Sequence, residues 1–293
     1  MISNIDDCSF RRPLNRTPSG GTVQILVRQR YGWRSSNLQT TCTSAIVMTQ
    51  GLLGTTGSLQ CLLGALCGNF NTTSTDSPCT DFNTVLDWSG SERLDIQTLP
   101  LGAWFIISFT DFSFAQVAIA GNGIWFLTSR IDLNVRPDGK INTSPSTQIL
   151  PVIRRTVNTT HIFTLPMLDN DRTDILRCRW STNGTINNTN GFDECASVCA
   201  PTLPSGYILF GDNCTLVFTI TMMAYYVVSI QIEDYFNSTA TTPMSSTPVQ
   251  FLIYGVSPPN GCSVKPSIMG SRPNQGCIHC CFSTIDCNLS FMI

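Results

Sequence analysis

The residues that say most about chemistry in this 293-residue sequence are its 14 cysteines. Their spacing is irregular, and a zinc-like grouping of cysteines with a histidine is confined to Cys277, His279, Cys280 and Cys281. The other cysteines require an oxidising compartment, so we predict disulfides throughout, with Cys61 or Cys67 joined to Cys79. The predicted disulfide cysteines are Cys8, Cys42, Cys61, Cys67, Cys79, Cys178, Cys195, Cys199, Cys214, Cys262, Cys277, Cys280, Cys281 and Cys287.

A second chemical signal is the Asn-x-Ser/Thr sequon, the acceptor of N-linked carbohydrate. It occurs nine times, about twice as often as the composition predicts by chance. Together with the cysteines, this density indicates a secreted glycoprotein in an extracellular location. The predicted glycosylation sites are Asn15, Asn71, Asn142, Asn158, Asn183, Asn187, Asn213, Asn237 and Asn288.

One acidic run has the residue types of a calcium site. Asp169, Asp171 and Asp174 lie between two predicted strands, and cadherin-like modules hold calcium with such inter-strand loops. Asp and Asn also cap turns by accepting backbone hydrogen bonds, and Arg172 inside the run would oppose a cation. We therefore favour a turn over a metal site, and we expect no cofactor other than N-linked glycans.

The groups needed for catalysis are scarce. The chain has two histidines: His161 lies on a predicted strand beside a sequon, and His279 lies in the cysteine cluster. No Gly-x-Ser-x-Gly motif accompanies either of them, so we predict no catalytic residues and no enzymatic activity. Charged residues make up 12% of the chain and the net charge is −2, which excludes an electrostatic footprint for nucleic acid.

The chain ends and the apolar segments bear on targeting. Residues 1–7 have neither a basic start nor an apolar run, so we expect this sequence to be a processed segment whose leader is missing. The most apolar window, residues 217–232, contains polar interruptions and is too short for a bilayer, so we predict no membrane span.

The elements that position these groups are predicted to be strands. Lys and Glu are rare, Ser and Thr are abundant, and apolar residues recur with a period of two. Tyr226, Val228, Ile230 and Ile232, for example, alternate with more polar neighbours. This alternation predicts half-buried strands with one face in solvent.

Four regions follow from the strand pattern. We predict an N-terminal extension over 1–19, a β-sandwich over 20–146, an immunoglobulin- or cadherin-like sandwich over 147–257 and a cysteine-rich tail over 258–293. The second sandwich has seven predicted strands, at 149–154, 159–166, 174–181, 207–210, 214–220, 223–233 and 248–255. The fold class is therefore all-β, with two β-sandwich domains and a disulfide-rich tail that ends in a strand.

Several ordered sequence blocks resemble a known module. They are Cys79–Phe82, Asp87–Ser89, Arg136–Pro145, Arg177–Trp180, Gln231–Tyr235 and Val249–Ile253. Over roughly residues 55–265 the chain is similar to an uncharacterised cysteine-rich extracellular β module found in large secreted proteins of aquatic invertebrates. The resemblance implies an adhesive or matrix-like protein and brings no catalytic residues.

The end of the chain has the cleanest amphipathic pattern. Apolar residues alternate with polar ones and form a predicted terminal strand. This strand either completes a sheet of its own chain or is donated to a neighbouring subunit, in which case assembly would be open-ended. The apolar residues of this predicted assembly strand are Ile285, Cys287, Leu289, Phe291 and Ile293.

These observations lead to two functional hypotheses. The first is a secreted structural protein that assembles with its own copies into an extracellular fibre or matrix through its terminal segments. The alternative is an adhesion or lectin-like module that binds glycans or a receptor, for which Trp33 and Trp88 are the better surface candidates and Trp180 is predicted to be core.

Overall fold

The structure is a computed structural model, and nearly all of its regular elements are β-strands. Among the residues that it describes, no helix is long and apolar enough to cross a membrane. The described residues are 3–4, 10–37, 39–54, 57–111, 125–184, 188–199 and 202–258.

Ten strands and one short helix, α1 (Ser44–Met48), precede residue 146. The first two strands lie in the predicted N-terminal extension, and the other eight lie in the first predicted sandwich region. Short 3₁₀ turns lie at Gly64–Cys67 and, later in the chain, at Ala196–Val198. The strands are β1 (Ser3–Asn4), β2 (Phe10–Pro13), β3 (Thr22–Arg34), β4 (Leu52–Leu53), β5 (Ser58–Cys61), β6 (Thr73–Ser74), β7 (Ser77–Asn83), β8 (Trp88–Pro100), β9 (Trp104–Asp111) and β10 (Trp125–Asp132).

The second predicted sandwich region contains seven strands, one at each predicted position. The all-β fold class is therefore confirmed, and the strand boundaries differ from the predicted ones by a few residues. These strands are β11 (Val152–Thr156), β12 (Thr160–Thr164), β13 (Ile175–Trp180), β14 (Ile208–Phe210), β15 (Thr215–Thr219), β16 (Tyr225–Tyr235) and β17 (Ser245–Val256).

The first core lies under the long antiparallel pair β3–β8. This pair belongs to a sheet with the order β1-β3-β8-β7-β4, in which β2 also pairs with β3. Alternate residues of β3 point inward, from Val23 to Trp33, and pack with aromatic residues of β9 such as Phe105 and Phe109. Trp33 is 1% exposed, and its indole N–H donates to Ser91 Oγ at 2.8 Å.

The second core lies between two sheets connected in the immunoglobulin pattern. One sheet has the order β12-β15-β14, and the other includes β13-β16-β17, with β11 parallel to β17. In chain order, β12, β14 and β15 take the places of immunoglobulin strands B, D and E, and β13, β16 and β17 take those of C, F and G. This strand order is that of the predicted immunoglobulin- or cadherin-like sandwich.

A tyrosine corner supports the same assignment. Tyr226 lies at the start of β16 and is fully buried. Its hydroxyl accepts a hydrogen bond from the backbone N–H of Met222 at 3.1 Å and lies 3.3 Å from the Met222 carbonyl oxygen. In immunoglobulin sandwiches a tyrosine near the start of strand F makes this kind of contact with the backbone a few residues upstream.

Four disulfides lie among the described residues. Cys178–Cys214 joins β13 to the residue before β15 and so links the two sheets, with a Cα–Cα distance of 5.5 Å. The other three are Cys42–Cys79, Cys61–Cys67 and Cys195–Cys199. The predicted bond from Cys61 or Cys67 to Cys79 is wrong, because Cys61 at the end of β5 pairs with Cys67 at the end of the 3₁₀ turn, and Cys79 pairs with Cys42. Cys8, Cys262, Cys277, Cys280, Cys281 and Cys287 lie outside the described residues.

The two predicted sandwiches share one sheet. Its order is β13-β16-β17-β10-β9-β5-β6, so it continues across the predicted boundary at residue 146, and Met1–Val256 form one compact unit. Arg130 on β10 pairs with Ser246 on β17 at the junction. Independent folding of residues 20–146 and 147–257 stays a prediction.

The shared sheet explains one difference from the predicted strand pattern. Tyr226 and Val228 pack in the second core, whereas Val227 on the other face packs in the first core. Every residue of β16 from 226 to 235 is buried, so the prediction of a half-buried strand with one solvent face is wrong here. Its alternating polar residues are buried against other protein, because both faces of the sheet are covered.

The predicted assembly strand, Ile285 to Ile293, lies outside the described residues, as does the rest of the tail from residue 259 onward. Its pairing, within the chain or with a neighbour, stays a prediction.

The tyrosine corner yields a stability prediction. We expect Tyr226→Phe to lower the free energy of unfolding by about 1 kcal/mol, because a buried hydroxyl loses its hydrogen bond to the Met222 backbone. Urea unfolding followed by tryptophan fluorescence measures this change. Tyr225→Phe, at the half-buried neighbouring position, is the control and should change the free energy of unfolding by much less. Equal decreases in the two variants would show that the hydrogen bond of Tyr226 does not stabilise the fold.

Candidate functional site

The predicted calcium ligands form a cluster that contains guanidinium groups. Arg136 Nη1 lies 2.9 Å from Asp171 Oδ2, and Arg136 Nη2 lies 2.8 Å from Asp174 Oδ1. Arg16 Nη2 approaches the same Asp171 oxygen at 2.8 Å. The carboxylates lie close enough together to hold a metal ion, but two arginines already supply the positive charge that a cation would bring.

Asp169 plays a different part in this loop. Its carboxylate oxygens accept hydrogen bonds from the backbone N–H groups of Asp171, Thr173 and Asp174, at 2.7–2.9 Å. This is the turn-capping use of aspartate. Burial raises the pKa of the Asp174 carboxyl, and the charge of Arg136 opposes that rise. In this structure the loop is a turn bound by arginine side chains, and the absence of a calcium ion stays a prediction.

The same arginine belongs to a wider buried network. Asn142 Oδ1 lies 3.3 Å from Arg136 Nη1, and its amide nitrogen donates to Asp234 Oδ2 at 2.6 Å and to Ser245 Oγ at 3.3 Å. Asn142 is 2% exposed. A glycan on its amide nitrogen is incompatible with these contacts, so we correct the predicted glycosylation site at Asn142: the sequon is present, but the side chain ties residue 142 to β16 and β17.

A second buried network is centred on Arg179. Its guanidinium binds both oxygens of Glu194 at 2.7 Å, and its Nε donates to Glu233 at 2.9 Å. Burial raises the pKa of Glu194, and the hydrogen bonds from Arg179 act against this rise. Burial by itself lowers the pKa of Arg179, but the two glutamates outweigh it and the pKa is raised. One guanidinium thus binds two buried carboxylates, which is the arrangement of a structural ion-pair network.

Further hydrogen bonds connect this network to the shared sheet. Tyr235 donates to Glu233 at 2.8 Å, and Asn190 donates to Glu194 at 2.6 Å. Gln231 and Gln250 reach the carbonyl oxygens of Thr128 and Phe126 on β10, at 3.1 and 2.9 Å. These bonds pair the amide nitrogens of the two glutamines with β10, and the network attaches residues 189–194 to the second face of β16.

One further cluster has the composition of a metal site. The side chains of Asp193, Cys195 and Cys199 lie together, but the two sulfurs are joined in a disulfide. Asp193 Oδ1 accepts hydrogen bonds from the backbone N–H groups of Cys195 and Ala196, at 3.0 and 2.7 Å. The cluster has no thiolate to offer a metal and serves to close the loop.

His161, Trp33 and Trp180 make structural contacts. His161 Nε2 lies 2.8 Å from the Thr156 carbonyl oxygen, and the ring lies against Phe218. The interpretation of Trp33 as a surface residue is wrong, because it belongs to the first core. Trp180 packs against the second core, as its alternation with Cys178 predicts. His279 lies outside the described residues.

Most of the other sequons are accessible. The asparagines at six described sequons are exposed, whereas Asn187 and Asn288 lie outside the described residues. At Asn213 and Asn237 the side-chain oxygen accepts the backbone N–H of the threonine two residues later, at 3.2 and 3.0 Å, which leaves the amide nitrogen directed elsewhere. The exposed acceptors are Asn15, Asn71, Asn158, Asn183, Asn213 and Asn237.

Among the described residues, the outer face of the three-stranded sheet is a candidate binding surface. Ile162, Ile208 and Phe210 are 72%, 52% and 51% exposed. The face carries no Asp, Glu, Lys or Arg, and threonine pairs flank its central apolar row. We define the outer face as Thr160, Ile162, Thr164, Ile208, Phe210, Thr215, Val217 and Thr219.

Two features of the structure were not predicted from the sequence, the arginines that bind the acidic loop and the apolar outer face. Arg16 and Arg136 could have been anticipated from the near equality of 15 Arg and 16 Asp in a chain with few charges, which favours paired ions. The outer face had a signal in the alternation of Thr160, Ile162 and Thr164, but which side of the strand faces solvent depends on the packing of the sandwich.

Comparisons with known proteins add little to this description. No protein-family model matches the chain, and the curated proteins likewise yield no match. The two tandem V-type regions of VCBP3, described as a v-region-containing chitin binding protein, match with a TM-score of 0.37 and 8% identity. The match covers 87% of this chain and 100% of that chain. At this level it carries no functional argument, and the predicted module resemblance stays a prediction.

The buried arginine gives a second testable prediction. We expect Arg136→Met to lower the free energy of unfolding by about 3–5 kcal/mol, because it leaves Asp171 and Asp174 buried without their main counter-ion. Arg34→Met is the matched control, since Arg34 pairs with Asp87 on the exposed surface and should cost at most about 1 kcal/mol. Chemical denaturation of the two variants measures the difference, and similar losses would count against the network.

The acidic loop gives a third prediction. We expect about 5 mM calcium, a concentration above the usual affinities of extracellular calcium modules, to leave the melting temperature of the wild type unchanged. Arg136→Met should instead be stabilised by calcium, because the variant exposes the carboxylates to a replacement cation. A calcium-dependent rise in the wild type, reversed by EDTA, would show that the arginines do not occupy the site.

Proposed function

We propose that this chain is an extracellular, N-glycosylated structural or adhesive protein that acts through contacts with other proteins. The observation that carries the proposal is the placement of the sequons. Of the seven that the structure describes, six are exposed, and the seventh, Asn142, is held inside by hydrogen bonds. Carbohydrate on the six would cover several parts of the surface without disturbing either core.

The disulfides support the same environment. Cys178–Cys214 ties the two sheets of the second sandwich together, and Cys42–Cys79 ties the segment before α1 to β7 in the first region. Removing a native disulfide commonly costs about 2–5 kcal/mol, which is a large part of a domain's stability. A protein that relies on such bonds is suited to an oxidising, extracellular setting.

The use of the polar groups supports a contact function over catalysis. His161 contacts a backbone carbonyl oxygen, and eight described cysteines form four disulfides. The buried carboxylates of Asp171, Asp174, Glu194 and Glu233 bind arginines. The groups that catalysis would need are thus engaged in structural roles. What the surface offers is an uncharged apolar and threonine-rich sheet face, which suits protein contact.

The choice between the structural and the lectin-like hypothesis also follows from the surface. Burial of Trp33 removes one of the two tryptophans considered for sugar stacking. We therefore place protein contact first, and the assembly of copies into a fibre or matrix remains part of this proposal. The terminal strand from Ile285 to Ile293, which would carry that assembly, lies outside the described residues.

Glycan mapping tests the proposal. In protein secreted from a glycosylating cell line, we expect enzymatic removal of N-glycans in ¹⁸O water to label the six exposed asparagines and to leave Asn142 unlabelled. Mass spectrometry of the peptides reads each position separately. A secreted, folded product with no carbohydrate at the exposed positions would contradict the proposal.

A pair of variants provides the control. Asn158→Gln should run faster in electrophoresis by the mass of one glycan, because Asn158 is exposed. Asn142→Gln should show unchanged mobility but lower stability, because the longer side chain disturbs the bonds to Asp234 and Ser245. A mobility shift in Asn142→Gln would show that the buried position is glycosylated.

A further inference from the structure

The inference concerns β12, the strand at one edge of the three-stranded sheet. This strand pairs with β15, with Thr164 opposite Thr215. The next pair in the same register is Leu165 and Cys214, and the Leu165 N–H donates to the Cys214 carbonyl at 3.0 Å. In an antiparallel ladder hydrogen-bonded pairs alternate, so residues 161, 163 and 165 bond to β15. The backbone groups of Thr160, Ile162 and Thr164 therefore point away from β15.

Nothing pairs with that side of β12 among the described residues. The segment before β11 meets the chain beyond β12 at two places, the bridge of Ser146 with Leu168 and a hydrogen bond from the Thr147 hydroxyl to the Pro166 carbonyl oxygen at 2.6 Å. Both contacts lie past residue 164, and β11 itself pairs with β17 in the other sheet. The backbone edge over residues 160–164 is thus available to another strand. Exposed edges of this kind template the addition of a further strand unless the sequence protects them.

The side chains of this edge do not protect it. Natural edge strands usually carry charges, proline or a bulge, whereas β12 reads Thr-His-Ile-Phe-Thr. His161 and Phe163 point to the core side, where they contact Phe218 and Phe251. Arg155 lies over the ring of Phe163 at 5.8 Å and is therefore on the opposite side of the sheet from Ile162.

The outward residues of β12 form a palindromic pattern, Thr-Ile-Thr, which is the same in either chain direction. Thr160 and Thr164 flank Ile162 symmetrically. An antiparallel copy centred on Ile162 would place Ile162 opposite the partner subunit's Ile162, and Thr160 opposite the partner subunit's Thr164. Each of these pairs would exchange both backbone hydrogen bonds, because all three residues present their N–H and C=O groups on the free side.

We propose that two copies of this chain form a symmetric dimer by antiparallel pairing of β12 with β12 about Ile162. The two three-stranded sheets then become one continuous sheet, and the apolar rows Ile208–Val217–Ile162 of the two copies join end to end. The threonine rows continue in the same way, since Thr160 already contacts Thr219, and Thr164 contacts Thr215, at 3.0 and 2.8 Å between hydroxyls. Threonine pairs across strands are favourable.

Charge supports a second copy as the occupant of this edge. Directly opposed like charges destabilise strand pairs, and a self-pairing strand always opposes its own residues. Because β12 carries no charged residue, the pairing creates no such opposition along the strand. The same patch is used on both copies, so the contact closes on itself as a dimer. The proposed register places Asn158 opposite the partner subunit's Pro166, beyond the paired residues, so a glycan there would flank the contact.

Mass measurement tests the dimer. At about 100 µM, well above a micromolar dissociation constant, we expect light scattering after size exclusion to give a dimer for the wild type. Ile162→Lys should give a monomer, because two ammonium groups would face each other at the symmetry axis. Ile208→Lys is the matched control, since Ile208 lies in the same apolar row at the far side of the sheet, and it should remain a dimer.

The outcomes separate the alternatives. A monomeric wild type, or a dimer in all three proteins, overturns the proposal. Circular dichroism checks that Ile162→Lys stays folded, as its 72% exposure leads us to expect. The dimer goes beyond the proposed extracellular role and is tested separately, since the mass measurement can be made before and after glycan removal.

Crosslinking gives a second, independent readout. Opposed residues in a hydrogen-bonded antiparallel pair have Cα atoms about 5.5 Å apart, within the range that a disulfide spans. Ile162→Cys should therefore form a covalent dimer under mild oxidation on a non-reducing gel, whereas Ile208→Cys should not. Absence of the covalent dimer in Ile162→Cys, or equal crosslinking of the two variants, would overturn the register.

Discussion

The burial of both faces of β16 and β17 is the constraint on which the rest of this structure depends. One face packs into the immunoglobulin-like core, and the other meets the first sandwich and the 181–199 segment. A strand covered on both sides has no solvent to satisfy its polar side chains, so most of them pair inside the protein. The side-chain oxygens of Ser229, Gln231 and Gln250 are exceptions, with no hydrogen-bond partner among the described residues. The arrangement of Arg179, Glu194 and Glu233 is a consequence of this requirement.

The same constraint accounts for the use of charge in this chain. Among the described residues, Arg16, Arg136 and Arg179 bind carboxylates in the interior. Arg136 binds the acidic loop and contacts Asn142, and Asn142 in turn reaches β16 and β17. The acidic loop resembles a metal site, and Asn142 lies in a glycosylation sequon. Both belong instead to one structural network that attaches the two sandwich regions to a common sheet.

Besides its charged residues, the described surface carries six exposed carbohydrate acceptors and one uncharged sheet face. The exposed sequons are spread over both regions. The outer face of the three-stranded sheet carries no charge and ends at β12, which pairs with β15 on one side and with no described strand on the other. The proposed contacts of this protein would use shape, backbone hydrogen bonding and apolar contact. Its specificity is expected to come from strand register.

Much of this could be predicted from the sequence, because local patterns determine local structure. The period-two alternation identified all seven strands of the second region, and the turn-capping use of Asp169 follows from residue type. What surrounds each face depends on contacts between residues far apart in the chain. The solvent face expected for Gln231, the accessibility expected for Asn142 and the disulfide partner of Cys79 were decided only by tertiary structure. A pattern shows that two faces of a strand differ, and only the packed fold decides what covers each of them.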